Sequence, residues 1–377
     1  MSVDTPPPLA DLRVLELATV VAGPGCGRYL ADFGADVIKI ERPGAGDSTR
    51  TLGWRHPTDD TTYWWKLLGR NKRCIELDLK SAEGRESFLA LVATADVVIE
   101  NFRPGKLEAL GLGPDVLWSA RPQLVITRIS GFGQTGPYAQ RPGFATLAEA
   151  MSGFAAINGT EASGPTLPPI ALTDEVTALT AAFATMVALH SGEGQVVDVN
   201  LLESMFQVMG PLLSVYAATG YRQPRMGSEL PYSVPRNTYR CADGRWVAVS
   251  ASSESVGPRV MALVGLDPVE LASFEARVDA RERINAAVST WIGARTSDEV
   301  LAGFAEVDAA VALVFDAADI ATDPHFAARQ ALVELDGSVM QGLVADLSAT
   351  PGRLRWAGRS QGADTAEVLA DLTDPDP

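Results

Sequence analysis

The chain has 377 residues, 46% of them hydrophobic, with a mean hydropathy of +0.07 and a formal net charge of −16. These values describe a soluble globular protein with more than one small core, and so large a deficit of cations excludes nucleic acid as the partner. There is no run of roughly 18 uncharged apolar residues, no apolar export segment in MSVDTPPPLADLR and no CxxC pair among Cys26, Cys74 and Cys241, so the expectation is a reduced, cytoplasmic protein without a membrane span, disulfide framework or zinc knuckle.

In chain order, LRVLELA (residues 12–18) reads as a strand, GPGCGRYLADFGA as a turn and helix, and DVIKIE as the next strand. RCIELDL is a further strand, and SAEGRESFLALVATA a helix opened by Ser81 as N-cap. DVVIE and LVITRIS are β-branched strands separated by the short helical KLEALG. Strands alternating with helices predict a doubly wound α/β layout with ligands at the carboxyl ends of its strands.

The middle of the chain changes character. GFATLAEAMSGFAAING reads as helical and TEASGPTLPPIAL as a Gly/Pro-rich loop. TDEVTALTAAFATMVALH (residues 173–190) carries apolar residues at spacings of three and four, a helical stripe. A turn and strand, GEGQVVDVN, precede one helix over LLESMFQVMGPLLSVYAA. Residues 219–237 form a linker rich in Pro, Gly and Arg, after which TYRCADGRWVAVSA is a hairpin. Helical stretches follow to about residue 330, then a short amphipathic helix in GADTAEVLADL and a disordered-looking TDPDP.

Charge is unevenly placed. Up to Ala145 there are 17 basic and 17 acidic residues, and after it 14 and 30; all five lysines (Lys39, Lys66, Lys72, Lys80 and Lys106) lie in the first part. An anionic small ligand is therefore expected there.

The first strand–turn–helix–strand, ending at Glu41, has the layout of a dinucleotide site. Its glycines are Gly23, Gly25 and Gly27, however, and Arg28 stands where G-x-G-x-x-G requires the third glycine. Pro24 also removes an N–H from the turn. No P-loop or G-x-S-x-G elbow is present, and His56, His190 and His325 form no metal or triad pattern. Carboxylate chemistry is left. Asp174 opens an apolar helix, where either it or Thr173 could cap the helix, or where it could serve as an acyl-accepting nucleophile. Position alone does not decide between these.

Taken together, AGPGCGRYLADFGADVIKIERPGAGDSTR, NKRCIELDLKSAEGR, ADVVIENFRPGKLEALG, SGFGQTGPYAQRPG and GEGQVVDVNLLES resemble the class III CoA-transferase family, the carnitine- and formyl-CoA-transferase group. The resemblance runs in order over about residues 10–373. It implies an α/β fold: a Rossmann-like parallel-sheet large domain (residues 1–220 with 330–377) that binds coenzyme A, plus a smaller α+β domain (residues 221–329), in an interlocked homodimer. It also implies that CoA passes from an acyl-CoA donor to a carboxylic acid acceptor through an aspartyl anhydride and an aspartyl-CoA thioester, with no metal.

By the same resemblance Asp174 is the catalytic aspartate. Val20, Ala22, Arg42, Leu77, Lys80, Asn101, Phe102 and Arg103 are the CoA-binding positions. Gly143-Phe144-Ala145 departs from the Gly-Tyr-Asp of many members and supplies neither the histidine nor the aspartate of the α-methylacyl-CoA racemase branch. A racemase-like isomerase, or a non-catalytic acyl-CoA-binding homologue, is the alternative to a transferase.

Overall fold

The computed structural model describes residues 6–251 and 253–372. The closing TDPDP and the first five residues lie outside them.

From the N-terminus, strand β1 (Arg13–Glu16) leads into helix α1 (Ala22–Asp32) and β2 (Asp36–Glu41). Then come β3 (Arg73–Glu76), helix α2 (Ala82–Val92), β4 (Val97–Glu100) and β5 (Val125–Ser130). Ser81 caps α2 as expected, its Oγ accepting from the Gly84 N–H at 2.9 Å. Helix α3 (Ala145–Met151), the 20-residue α4 (Leu172–Ser191), β6 (Gln195–Asn200) and α5 (Leu201–Gln207) follow. The six strands pair in parallel in the order β3-β2-β1-β4-β5-β6. The chain moves outward from β1 in one direction and then, at β4, in the other. The carboxyl ends of β1 and β4 are thus the topological switch point, where open α/β sheets bind ligands.

Both faces of this sheet are covered, which is why its strands are apolar runs rather than alternating ones. Val14, Val37, Val97, Val125 and Ile129 pack on one side with residues of α1 and α4; Leu15, Ile38, Ile75, Val98 and Ile126 pack on the other with Phe88 and Leu91 of α2. By length and composition α4 could cross a membrane, with a mean hydropathy of 1.3. Here its small face, including Thr177, Ala178, Ala181 and Thr185, is buried, and α1 packs closely on it: a Cβ on Gly25 would stand 2.8 Å from that of Ala178.

The single helix expected over LLESMFQVMGPLLSVYAA is two. Gly210 takes φ +61° and Pro211 lacks the N–H a continuous helix would need, so α5 ends at Gln207 and α6 (Leu212–Thr219) starts afresh. The chain divides into two compact units. The first contains the parallel sheet and takes up residues to Phe154, Leu167–Gly210 and from His325 on; the second comprises Ala155–Thr166 and Pro211–Pro324.

In the second unit β7 (Arg236–Arg240) and β8 (Trp246–Ser250) form the expected hairpin, extended by β9 (Val311–Leu313) into an antiparallel sheet of order β9-β8-β7. Helix α7 (Arg281–Gly293) packs Ile284, Val288 and Ile292 into the core of this unit, a spacing of four that lines one helical face. Back in the first unit, β10 (Leu332–Leu335) and β11 (Ser338–Gln341) form a hairpin the sequence reading lacked. Asp336 and Gly337 make its turn with φ +46° and +73°, so the Asp-Gly pair was the available signal. Helix α8 (Thr365–Ala370) closes the unit: Asp364, its N-cap, accepts from the Cys74 N–H of β3 at 2.7 Å, and Val368 is buried.

Candidate active site

The loop leaving β1 is built on buried charge. Lys39 of β2 reaches across with its ammonium on Asp47 (2.7 Å) and Glu16 (3.1 Å) and donates to the Ala18 carbonyl. Lys72 pairs with the other Glu16 oxygen at 2.7 Å and donates to the Pro24 carbonyl at 2.7 Å. Burial opposes the charge on Asp47, but Lys39 and the hydrogen bonds from Thr49 outweigh it and hold the carboxyl below its usual range. Asp47 is thereby an anionic acceptor for the Val20 N–H at 3.2 Å.

Val20 itself has φ +70°, a left-handed conformation that a β-branched residue adopts only when its surroundings impose it. The residue before it is clamped as well, because the Asn101 side chain bonds both the N–H and the carbonyl of Thr19. Asn101 follows β4, so its clamp ties together the two loops at the switch point. The β4 end is anchored in turn. Glu100 accepts from the Phe102 N–H at 2.6 Å and pairs with Arg128 at 2.6 Å.

Two clefts open here. The first, of about 420 Å³, is lined by Val20, Ala22, Asn101, Phe102, Arg103 and Asp174, together with Arg141 and the Gly143–Thr146 segment. The second, of about 320 Å³, is lined by Arg42, Leu77, Lys80 and Phe102, with Lys106. Thr19 and Phe102 belong to both. All nine residues expected in the site therefore line one cleft or the other, although they come from five separate stretches of chain. Of the five lysines of the neutral part, only Lys80 and Lys106 are exposed to a cleft. Lys39, Lys66 and Lys72 are buried in ion pairs with Glu16, Asp47 or Asp59.

Asp174 sits in the first turn of α4 but does not cap it. The N-cap position is Ala171, which makes no side-chain cap, and the Thr173 hydroxyl instead donates to Glu149 of α3 at 3.0 Å. The capping reading of Thr173 or Asp174 is thus corrected: both lie inside the helix. Partial burial, reinforced by the negative charges of Glu149 and Glu175, pushes the Asp174 carboxyl up to about 6. It is ionised at neutral pH yet poorly solvated, which suits a carboxylate nucleophile. Cys26, buried beneath the loop with its thiol pushed to about 12, offers no competing thiolate.

The sequence reading missed Lys106 and Arg141 as cleft residues. Lys106 stands in the same NFRPGK stretch as Asn101 and was within reach.

A family model described as CoA-transferase family III matches residues 9–365. The chain is similar to the succinyl-CoA–D-citramalate CoA-transferase of Chloroflexus aurantiacus, with 40% identity over 99% of this chain and 96% of that one. It is also similar to the succinate–glutarate CoA-transferase of Agrobacterium fabrum, with 33% identity over 97% of this chain and 96% of that one. Its fold is similar to the crystal structure of a CAIB/BAIF family protein from Brucella suis, with a TM-score of 0.85 and 32% identity over 97% of this chain and 100% of that one.

Proposed function

This chain belongs to CoA-transferase family III, and we propose that it moves coenzyme A from succinyl-CoA to a second short dicarboxylic acid, with Asp174 as the acyl acceptor. The observation that carries this reading is the placement of Asp174, poorly solvated and ionised at neutral pH, in the cleft that also presents Val20, Ala22 and Asn101–Arg103. The choice of donor and acceptor class rests on the relatives, which are named for transfers between succinyl-CoA and citramalate or between succinate and glutarate.

In this reading CoA lies along both clefts, its phosphates toward Arg42, Lys80 and Lys106 and its thioester toward Asp174. The Asp174 carboxylate attacks the thioester carbonyl. A carbon–oxygen bond forms, the carbon–sulfur bond breaks, and its electron pair leaves on the CoA thiolate, giving a mixed anhydride. The thiolate returns to the aspartyl carbonyl, frees the donor acid and leaves an aspartyl-CoA thioester. The acceptor carboxylate then attacks that thioester, and the thiolate takes the acceptor acyl group from the second anhydride, restoring Asp174. An anhydride retains enough reactivity to re-form a thioester without a nucleotide.

The CoA-binding domain in this reading comprises residues 1–220 with 330–377, and the chain works as an interlocked homodimer in the cytoplasm. A second copy is supported by the outer face of α4, which leaves Leu179, Phe183 and Val187 exposed at a spacing of four, Phe183 by 71%. The cytoplasm is supported by free thiols at all three cysteines.

The test is mass spectrometry after incubation with succinyl-CoA and hydroxylamine. A hydroxamate on the Asp174 peptide, absent from Asp174→Ala, is expected; deuterium entering the α-carbon of an acyl-CoA without any adduct would instead mark isomerase chemistry.

A further inference from the structure

Glu149 is 3% exposed on α3, and its carboxylate accepts from the Thr173 hydroxyl at 3.0 Å. Among the described residues it pairs with no cation. Its counterpart on α4 is treated differently: Glu175 Oε2 takes Arg28 of α1 at 3.2 Å and the Tyr29 hydroxyl at 2.9 Å. The charges acting on Asp174 are thus Glu149 from α3 and Glu175 from its own helix, the latter with the Arg28–Tyr29 pair of α1 on it, while the cations Arg103 and Arg141 line the same cleft. Of the two acids, Glu149 is the one whose charge is left uncompensated. A buried carboxylate without a cation is costly, and one placed beside a second carboxylate doubly so.

We infer that Glu149 is a positioning residue for the nucleophile: through Thr173 it sets the first turn of α4, and its charge stands against that of Asp174. This rests on the reading of Asp174 as the acyl acceptor. The chemistry gives the arrangement a use. When Asp174 attacks, its negative charge leaves with the departing sulfur, so repulsion present in the free enzyme is relieved as the anhydride bond forms. The charge of Glu149 thus raises the ionised ground state relative to the acylated enzyme.

The test separates charge from structure. Glu149→Gln retains an acceptor for Thr173 and removes the charge; Thr173→Val removes the hydrogen bond and retains the charge. Two midpoints are read against pH for each protein: carbodiimide labelling of the Asp174 peptide, which needs no turnover, and acyl loading from succinyl-CoA trapped with hydroxylamine. In Glu149→Gln both midpoints are expected to move by about 1 pH unit to the acid side of their wild-type position near pH 6. In Thr173→Val they should stay in place while the melting temperature falls. Glu149→Asp, which retains the charge, should keep the wild-type midpoints, and Glu149→Asn, neutral and with an acceptor, takes the place of the Gln variant with the same acid shift expected if that fails to fold. Midpoints that do not move in Glu149→Gln, or that move as far in Thr173→Val, would overturn the charge role. Absence of loading in the wild-type protein strikes the transferase reading instead, and is recognised separately because labelling still titrates.

Discussion

Asn101 holds both backbone polar groups of Thr19: the Thr19 N–H donates to its Oδ1 at 2.9 Å, and its Nδ2 donates to the Thr19 carbonyl at 2.6 Å. The next residue, Val20, stands at φ +70°, a conformation that costs a β-branched residue about 1–3 kcal/mol and survives only under such restraint. The Asn101 amide therefore shapes the loop with one N–H and one oxygen lone pair while still lining the first cleft. Asn101→Ala leaves both groups of Thr19 unpaired, and a destabilisation of about 1–3 kcal/mol is expected. As the loop relaxes away from the thioester, kcat should fall about tenfold or more. Steady-state kinetics with succinyl-CoA check this. If KM rose and kcat held, Asn101 would be contacting CoA directly.

The carboxyl of Asp174 makes stability depend on pH in a defined direction. Burial and the charges of Glu149 and Glu175 raise it from 3.8 to about 6, so between those values the native state holds a proton the unfolded state has lost. Stability therefore falls as pH rises through that window and stays lowered above it, by at most about 3 kcal/mol. Asp174→Asn removes the penalty. The variant should melt higher than the wild type at pH 8 and at the same temperature at pH 3.5, with the difference appearing between about pH 4 and 6. An inactive variant whose melting temperature tracked the wild type at every pH would show that Asp174 is not strained by its surroundings.

The parallel sheet was legible because β1 to β5 are apolar runs separated by helix-length segments, and a sheet covered on both faces demands that pattern. The position of Asp174 was legible only as a carboxylate opening an apolar helix. Its environment was not, because Glu149 lies 25 residues earlier in the chain and meets it through the fold. The lysines make the same point. Composition placed all five in one neutral region, but only the structure separates Lys39 and Lys72, consumed by Glu16, from Lys80 and Lys106 at the cleft. The break at Gly210-Pro211 and the Asp336-Gly337 turn were local signals that hydrophobic spacing overrode.

That division of the lysines predicts two different phenotypes. Lys106→Ala removes an exposed charge facing the second cleft, so KM for an acyl-CoA should rise several-fold with kcat and melting temperature unchanged. The effect should shrink as salt is raised, because exposed charges are screened over about 8–10 Å at physiological ionic strength. Lys72→Ala strips one of its two cations from buried Glu16 and leaves Lys39 shared between Glu16 and Asp47, so a loss of about 3 kcal/mol is expected. Denaturant melts and salt-dependent kinetics on the two proteins distinguish them. A salt-insensitive Lys106→Ala defect would remove the electrostatic role assigned to the second cleft.

Gly131, after β5, and Gly143, before α3, cross with their backbones in contact in the wall of the first cleft. A Cβ on Gly131 would lie 2.6 Å from the Gly143 Cα, and one on Gly143 would lie 2.5 Å from the Gly131 Cα. Carbon atoms do not approach that closely, and backbone on both sides leaves no flexible side chain to yield. Alanine at either position must part the two segments, and α3, which carries Glu149, moves with the second. Displacements of about 1 Å in positioned reacting groups reduce rates on the order of 100-fold. Gly131→Ala and Gly143→Ala are therefore expected to lose about that much kcat/KM. Gly293→Ala is the comparison: it lies in α7 of the second unit, where the nearest atom to a new Cβ is the Arg240 carbonyl oxygen at an ordinary 3.8 Å. It should match the wild type in kinetics. A Gly131→Ala enzyme with full activity would mean that the wall of the first cleft can shift without disturbing the chemistry at Asp174.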